Sequence, residues 1–323
     1  MVTVISTFAG GGGSSLGYKW AGFTELLAID FDKNSCDTLK ANFDFPVWQR
    51  DIKEVTVNEI LDFLKLKVGE LDVLDGSPPC QGFSTAGKRN LNDERNDLFK
   101  DYVRLIEGLQ PKVFVMENVS GMIKGGYKGK FNEILKTLKD TGYNVKVKLM
   151  NAMWYEVPQS RERLFFIGVR KDIGEPSFPE PLKTFITVKE ALRDIRNETF
   201  CATDYSTKRR GEYLLKDLIS KIKQGESAQD HLKSGGFSMI RLNENKCSPT
   251  VTKTFPGSNV SLIHPTENRN ITIEEAKRLC GFPDNHKLNG TFREQWSRLG
   301  NAVMPKMMYH IAKNIKEKIL EKH

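Results

Sequence analysis

Cys80 stands directly behind two prolines, in the stretch GSPPCQGFS (76–84). The run LDVLD precedes it, so the cysteine falls where an apolar strand ends in a loop. Pro78 and Pro79 stiffen the backbone ahead of it and fix its direction. A thiol mounted this way is a strong nucleophile once its surroundings lower its pKa. Glu117, in MENV, leaves a second strand, KVFVMENV. A thiol and a carboxylic acid on neighbouring strand ends can reach one substrate, the first attacking and the second donating or holding a proton. A buried core cysteine and a helix-capping acid are the competing reading of the same residues. Arg161 and Arg163, in QSRER (159–163), are two positions apart and point the same way in extended chain. They suit a pyrimidine carbonyl or a phosphate.

A second group of residues points to a cofactor. FAGGGGSSLGYKWAGF (8–23) is a glycine turn between a strand and a helix, and glycine lets backbone approach a ligand closely. Asp30 lies 20 residues beyond Gly10, at the end of the second strand, where a carboxylate can accept from ribose hydroxyls. A nucleoside-containing cofactor follows, and dinucleotides and S-adenosylmethionine both fit. The full GxGxxG is absent, because Ser15 stands where a third glycine would be. Phe31 could stack on an adenine and Asp51 could accept from its amino group; an edge aromatic and a solvated acid are the competing readings of the same residues.

These residues need a frame. TVISTFAG, TELLAID, VWQRDI, LDVLDGSPPC and KVFVMENV read as strands, with helices between them. SSLGYKWAGF begins the first helix, with serines where an N-cap belongs. DLFKDYVRLIEGL is an amphipathic helix with Leu98, Tyr102, Leu105 and Ile106 on one face. The alternation predicts an α/β fold, a parallel sheet covered by helices on both faces. Ligands of such sheets sit outside the carboxyl ends of the strands. The glycine loop, Asp30, Asp51, Cys80 and Glu117 all fall at that edge. After about residue 172 the alternation stops, and GEPSFPEPLKTF reads as a proline-rich linker. The division expected is a catalytic and cofactor-binding domain over 1–182, completed by 297–323, and a smaller domain over 183–296.

Composition narrows the function classes. The 323 residues are 39% hydrophobic and 28% charged, as in an ordinary globular protein. No apolar run approaches a membrane span, and MVTVISTFAG lacks the basic lead-in of a signal peptide, so a cytoplasmic protein is expected. Five widely spaced cysteines without a CxxC, and five scattered histidines, argue against a disulfide framework and a metal site. A net charge of +8 suits nucleic acid.

Taken together, the blocks resemble the DNA (cytosine-5) methyltransferase family, of the bacterial or phage restriction-modification type. FAGGGGSSLGY, GSPPCQGFS, MENV, QSRERLFFIG, RLNENKCSPTVTKT and RLGNAVMP follow one another in the family's order across essentially the whole chain. The resemblance implies a Rossmann-like S-adenosylmethionine-dependent methyltransferase sheet with a smaller target-recognition domain. It implies that Cys80 attacks C6 of a flipped-out cytosine and that Glu117 protonates or hydrogen-bonds N3. It implies that Arg161 contacts the cytosine O2 and that Arg163 is its partner. For the cofactor it implies Phe8, Ala9, Gly10, Gly12, Gly13, Asp30, Phe31, Asp51, Ile52, Pro78, Leu98, Asn301 and Val303.

For double-stranded DNA the expected contacts are Gln81, Ser84, Lys88, Arg89, Arg95, Phe237, Ser238, Arg241 and Thr250. The loop from Gln81 to Asn96 is similar to the family's closing lid; Phe237 reads as an apolar wedge or, in the competing reading, as a core phenylalanine behind a turn. Arg193, Arg196, Arg209 and Arg210 are further candidates for base or phosphate contacts. A monomer is expected, with a cognate restriction endonuclease as a possible companion. One branch of the family methylates tRNA, and its Cys-Phe-Thr signature is absent from this chain.

Overall fold

The structure, a computed structural model, describes residues 1–79, 98–123, 128–195, 218–231, 238–254 and 260–321. The chain divides into two units. The first comprises Met1–Asn151, Glu162–Pro181 and Pro305–His323; the second comprises Ala152–Arg161 and Leu182–Met304. The segment 152–161 and residues 297–304 therefore go with the second unit, which differs from the division expected. Among the described residues no helix is long and apolar enough to cross a membrane.

The first unit is built on β1 (Thr3–Thr7), β2 (Thr24–Asp30), β3 (Val47–Gln49), β4 (Val73–Gly76), β5 (Val113–Val119), β6 (Tyr143–Asn151) and β7 (Glu162–Arg170). They form one sheet in the order β3-β2-β1-β4-β5-β7-β6. β1 to β5 pair in parallel, as the strand–helix alternation predicts. β7 departs from that expectation, lying antiparallel between β5 and β6. The cause is local: ten residues without an α-helix join β6 to β7, and a short connection returns the chain antiparallel.

Helices α1 (Gly13–Trp20), α2 (Lys33–Asn42), α3 (Val57–Leu64), α4 (Leu98–Leu109) and α5 (Lys128–Asp140) connect the strands. On one face of the sheet Ile5, Leu27, Ile29, Leu74, Phe114 and Met116 pack with Ile60, Tyr102, Leu105, Ile106, Ile134 and Leu138. The opposite face carries α1 and the last helix, α9 (Pro305–Ile315), a pair in intimate contact. Gly17 makes that approach possible, because a Cβ there would lie 2.6 Å from Met308 Cβ and 2.7 Å from the Pro305 carbonyl oxygen.

Two local expectations are corrected. The serines after the glycine turn do not cap α1: Gly12, in the left-handed conformation (φ 79°), takes the cap position, and Ser14 and Ser15 lie buried in the first turn. Nor is the proline-rich stretch a free linker. It runs beside edge strand β6, where Asn144 Nδ2 donates to the Gly174 carbonyl (2.9 Å) and Lys146 Nζ to that of Pro176 (3.3 Å). An edge strand needs such cover against unwanted pairing.

The second unit contains α6 (Val188–Leu192), β8 (Ser238–Arg241), β9 (Val260–Ile263), α7 (Ile273–Leu279) and α8 (Phe292–Asn301). β8 and β9 pair in parallel, and Ile219, Ile222, Ala228, Met239 and Ile263 form a small core.

Candidate active site

The glycine loop leaves the carboxyl end of β1 with a left-handed residue, Phe8 (φ 52°), an uncommon conformation for a side-chain-bearing residue. Gly10 and Gly12 are also left-handed. The loop is held from β2: Asp30 Oδ2 accepts from the Gly10 amide (2.8 Å), Oδ1 from the Asp32 amide (2.9 Å), and the Ala9 amide donates to the Ile29 carbonyl (3.2 Å). Burial pushes the Asp30 carboxyl up, and the Asp32 and Gly10 amides offset only part of that rise. Asp30 therefore shapes the loop with the same carboxylate expected to hold a ribose. Phe31, next in the chain, is 75% exposed. Such exposure of an aromatic ring at the ligand edge of the sheet leaves its face open for stacking. Asp51 is exposed and caps the turn Ile52–Glu54, while Ile52 is buried. Gly13 is buried at the start of α1, and Leu98 opens α4.

Beside this loop, β4 runs out toward the two prolines. Gly76 is required there, because a Cβ would lie 2.5 Å from Tyr102 Cε2 and 2.6 Å from Thr7 Oγ1. Ser77 Oγ donates to the Phe8 carbonyl (3.3 Å), tying the exit of β4 to the glycine loop. Pro78 is buried, and its carbonyl accepts from Asn118 Nδ2 (3.3 Å). Asn118 was not singled out in the sequence; its place in MENV, directly after Glu117, is the only signal it carries. Glu117 Oε1 meets Arg163 Nε at 2.7 Å, with the two side chains 10% and 15% exposed. The pair forms because β5 and β7 are antiparallel neighbours in which Val119 faces Arg163, so Glu117 lies on the diagonal.

The two arginines of QSRER have different surroundings. Arg161 is 1% exposed and donates to the carbonyls of Val251 (3.1 Å), Gly300 (2.8 Å) and Ala302 (3.1 Å), all in the second unit. Its two terminal nitrogens are held by backbone carbonyls, and Arg163 is the arginine beside the carboxylate.

Arg241 is likewise not a surface contact. It is 5% exposed, and its guanidinium donates to the carbonyls of Ile219, Ile222, His264 and Glu267 and to Asn268 Oδ1. Thr250 Oγ1 donates to the Ser160 carbonyl (2.8 Å). Asn301 is the exposed last residue of α8, and Val303 is buried. Arg193 is exposed, and Ser238 begins β8. Cys80, Gln81, Ser84, Lys88, Arg89, Arg95, Arg196, Arg209, Arg210 and Phe237 lie outside the described residues.

A glycine loop, a buried acid at the end of β2 and an acid–arginine pair at the end of β5 thus share one edge of a sheet in which β7 is inserted antiparallel. A family model for the C-5 cytosine-specific DNA methylases matches residues 2–317. The chain belongs to that family.

Type II methyltransferase M1.HphI of Haemophilus parahaemolyticus is 35% identical to this methylase over 97% of the present chain and 86% of its own. Type II methyltransferase M.FnuDI of Fusobacterium nucleatum is 32% identical over 99% and 95%. The crystal structure of an E. coli prophage-encoded protein, described as a DNA modification methyltransferase, superimposes with a TM-score of 0.76 at 27% identity, covering 99% of this chain and all of that one. The Dnmt2 methyltransferase of S. pombe, at 18% identity and a TM-score of 0.70, shares the fold. A C-5 cytosine DNA methylase needs a methyl donor. A side chain at Gly10 would meet nothing closer than the Phe8 carbonyl oxygen at 3.9 Å, so that side of the loop is bare. With the open ring of Phe31 and the carboxylate of Asp30, these residues fit a nucleoside-bearing donor.

Proposed function

We propose that this methylase modifies C5 of cytosine within a specific short sequence of duplex DNA, with S-adenosylmethionine as donor. The observation that carries the reading is the Glu117–Arg163 pair at the end of β5, beside the Pro78 carbonyl that Asn118 holds. Cys80 follows two residues after Pro78 in the chain. The Cys80 thiolate bonds to C6, while Glu117 gives a proton or hydrogen bond to N3, so the electron pair gathers at C5. Bound S-adenosylmethionine supplies an electrophilic methyl group. After methyl transfer the C5 proton leaves to a base, the Sγ–C6 bond breaks and the N3 proton returns to Glu117. Arg163 orients Glu117 through the pair and is the arginine within reach of the pyrimidine O2.

Phe31 stacks on the adenine, Asp30 accepts from the ribose, and Asp51 from the adenine amino group. The target base leaves the stack before reaction, at an unstacking cost of a few kcal/mol. The Type II names of the relatives support a role in restriction-modification, with an endonuclease acting at the same site. The protein works as a monomer.

The test is methyl transfer from labelled S-adenosylmethionine to mixed-sequence duplex DNA and to total tRNA in parallel, for wild type and Cys80→Ser. Label in DNA that is lost in the variant is the expected result, and label in tRNA alone would overturn the reading.

A further inference from the structure

The sheet face beneath α1 carries a buried polar group that the reaction above does not use. Asp75, on β4, is 4% exposed. Tyr18, on α1 and fully buried, donates its hydroxyl to Asp75 Oδ1 (3.2 Å), and the Ser14 hydroxyl reaches the same carboxyl. Thr7 Oγ1, at the end of β1, donates to the Asp75 carbonyl (3.0 Å). One residue therefore ties together the helix after the glycine loop, the strand before it, and the strand leading to Pro78, Pro79 and Cys80. A buried carboxyl is an expensive way to fill a core, since its transfer from water costs several kcal/mol when it is not well partnered. Ser14 and Tyr18 are the partners that offset that cost.

We propose that Asp75 is a positioning residue for methyl transfer. Its side chain fixes α1, and with it the glycine loop, to the strand that delivers the nucleophile's loop. The inference rests on the methyltransferase reading of the site. It has a corollary in charge. Val115 is the register partner of Asp75, and Glu117 lies two residues further along β5 on the same face. Glu25, from β2, stands on the other side and accepts from Ser15 Oγ (3.0 Å). Burial raises the Asp75 carboxyl to about 7, against the pull of the Ser14 and Tyr18 hydroxyls and with the help of Glu117. Burial likewise raises Glu25 to about 8. The titratable groups around Asp75 are thus Tyr18 from α1, Glu25 from β2, Glu117 from β5 and Tyr102 from α4. Burial and the neighbouring Glu117 oppose ionisation, while the Ser14 and Tyr18 hydroxyls favour it, because a carboxylate accepts their hydrogen bonds more strongly than a neutral acid does.

The experiment compares wild type, Asp75→Asn, Asp75→Leu and Tyr18→Phe. It reads the Kd for S-adenosylmethionine, kcat and KM in DNA methylation from pH 6 to 9, and the thermal midpoint. Asp75→Leu should weaken cofactor binding about tenfold or more and lower kcat as well. Asp75→Asn, which keeps the shape and can pair with both hydroxyls, should stay within about threefold of wild type. Tyr18→Phe should fall between the two.

Two results overturn the proposal. One is an Asp75→Leu protein with wild-type Kd and kcat and a lowered thermal midpoint alone. The other is an Asp75→Asn protein as impaired as Asp75→Leu. If wild type labelled no DNA, the methyltransferase reading would fail separately, and the order of cofactor Kd values would still decide whether Asp75 anchors the loop.

Discussion

Arg241 allows the sharpest test of structure against expectation. Read from the sequence, it is a DNA contact, and Arg241→Ala should then leave a stable protein with weakened DNA binding. In the structure its Nε donates to Ile222 (2.6 Å), one terminal nitrogen to His264 (2.9 Å) and Glu267 (2.8 Å), and the other to Ile219 (2.7 Å) and Asn268 (2.7 Å). Alanine would strand four backbone carbonyls and one amide oxygen around the small core. A net hydrogen bond is worth about 1 kcal/mol, so five independent bonds would sum to about 5 kcal/mol. Bonds sharing one guanidinium are not additive, and some acceptors will find water, so the expected loss is about 3–5 kcal/mol.

At about 2–4 °C per kcal/mol for a unit of this size, the thermal midpoint should fall by roughly 6–20 °C. Arg241→Lys should rescue little, because three donors on a flexible stem do not reproduce the planar fork. The assay is thermal and urea unfolding of both variants, alongside DNA affinity measured at a temperature where both are folded. A midpoint within about 2 °C of wild type, combined with a clear loss of DNA affinity, would refute the reasoning.

Arg163→Met should cut kcat by about 100-fold or more, by freeing the carboxylate it holds, with a smaller effect on unfolding. Arg161→Met should do the reverse, because its three carbonyl partners are structural; equal kinetic defects in the two would undo the distinction. Gly17→Ala should lower the thermal midpoint by several degrees, since its Cβ would press on Met308, Pro305 and Tyr309, and an unchanged midpoint would mean that α9 can shift without cost. His264 lies beside Glu275, Glu267 and Arg269, and burial lowers its pKa below the ordinary value near 6.5. The unfolded chain therefore binds this proton at a higher pH than the folded one does, so stability should fall as pH drops below about 6.5. Urea midpoints from pH 7.5 to 5.5 should show that fall in wild type and less of it in His264→Gln.

Much of this protein was legible from its residues in order. Strand–helix alternation, the glycine loop, Asp30, Phe31 and the MENV acid depend on neighbours a few positions apart, and each appears at the strand edge where it was expected. Six ordered blocks were enough to point to the family. What the primary structure could not decide was the use of its buried polar groups. An arginine offers the same five donors to a phosphate, a carboxylate or a backbone carbonyl. Which one it meets depends on chain brought in from far away: Gly300 for Arg161, Glu117 for Arg163, and Ile219 and Glu267 for Arg241. The same holds for Ser14, which reads as a cap and serves a carboxyl on β4, and for Asp75, which is silent in the sequence. Local pattern sets the elements because their hydrogen bonds are local, while the partner of a buried charge is set by whatever tertiary packing places within about 3 Å of it.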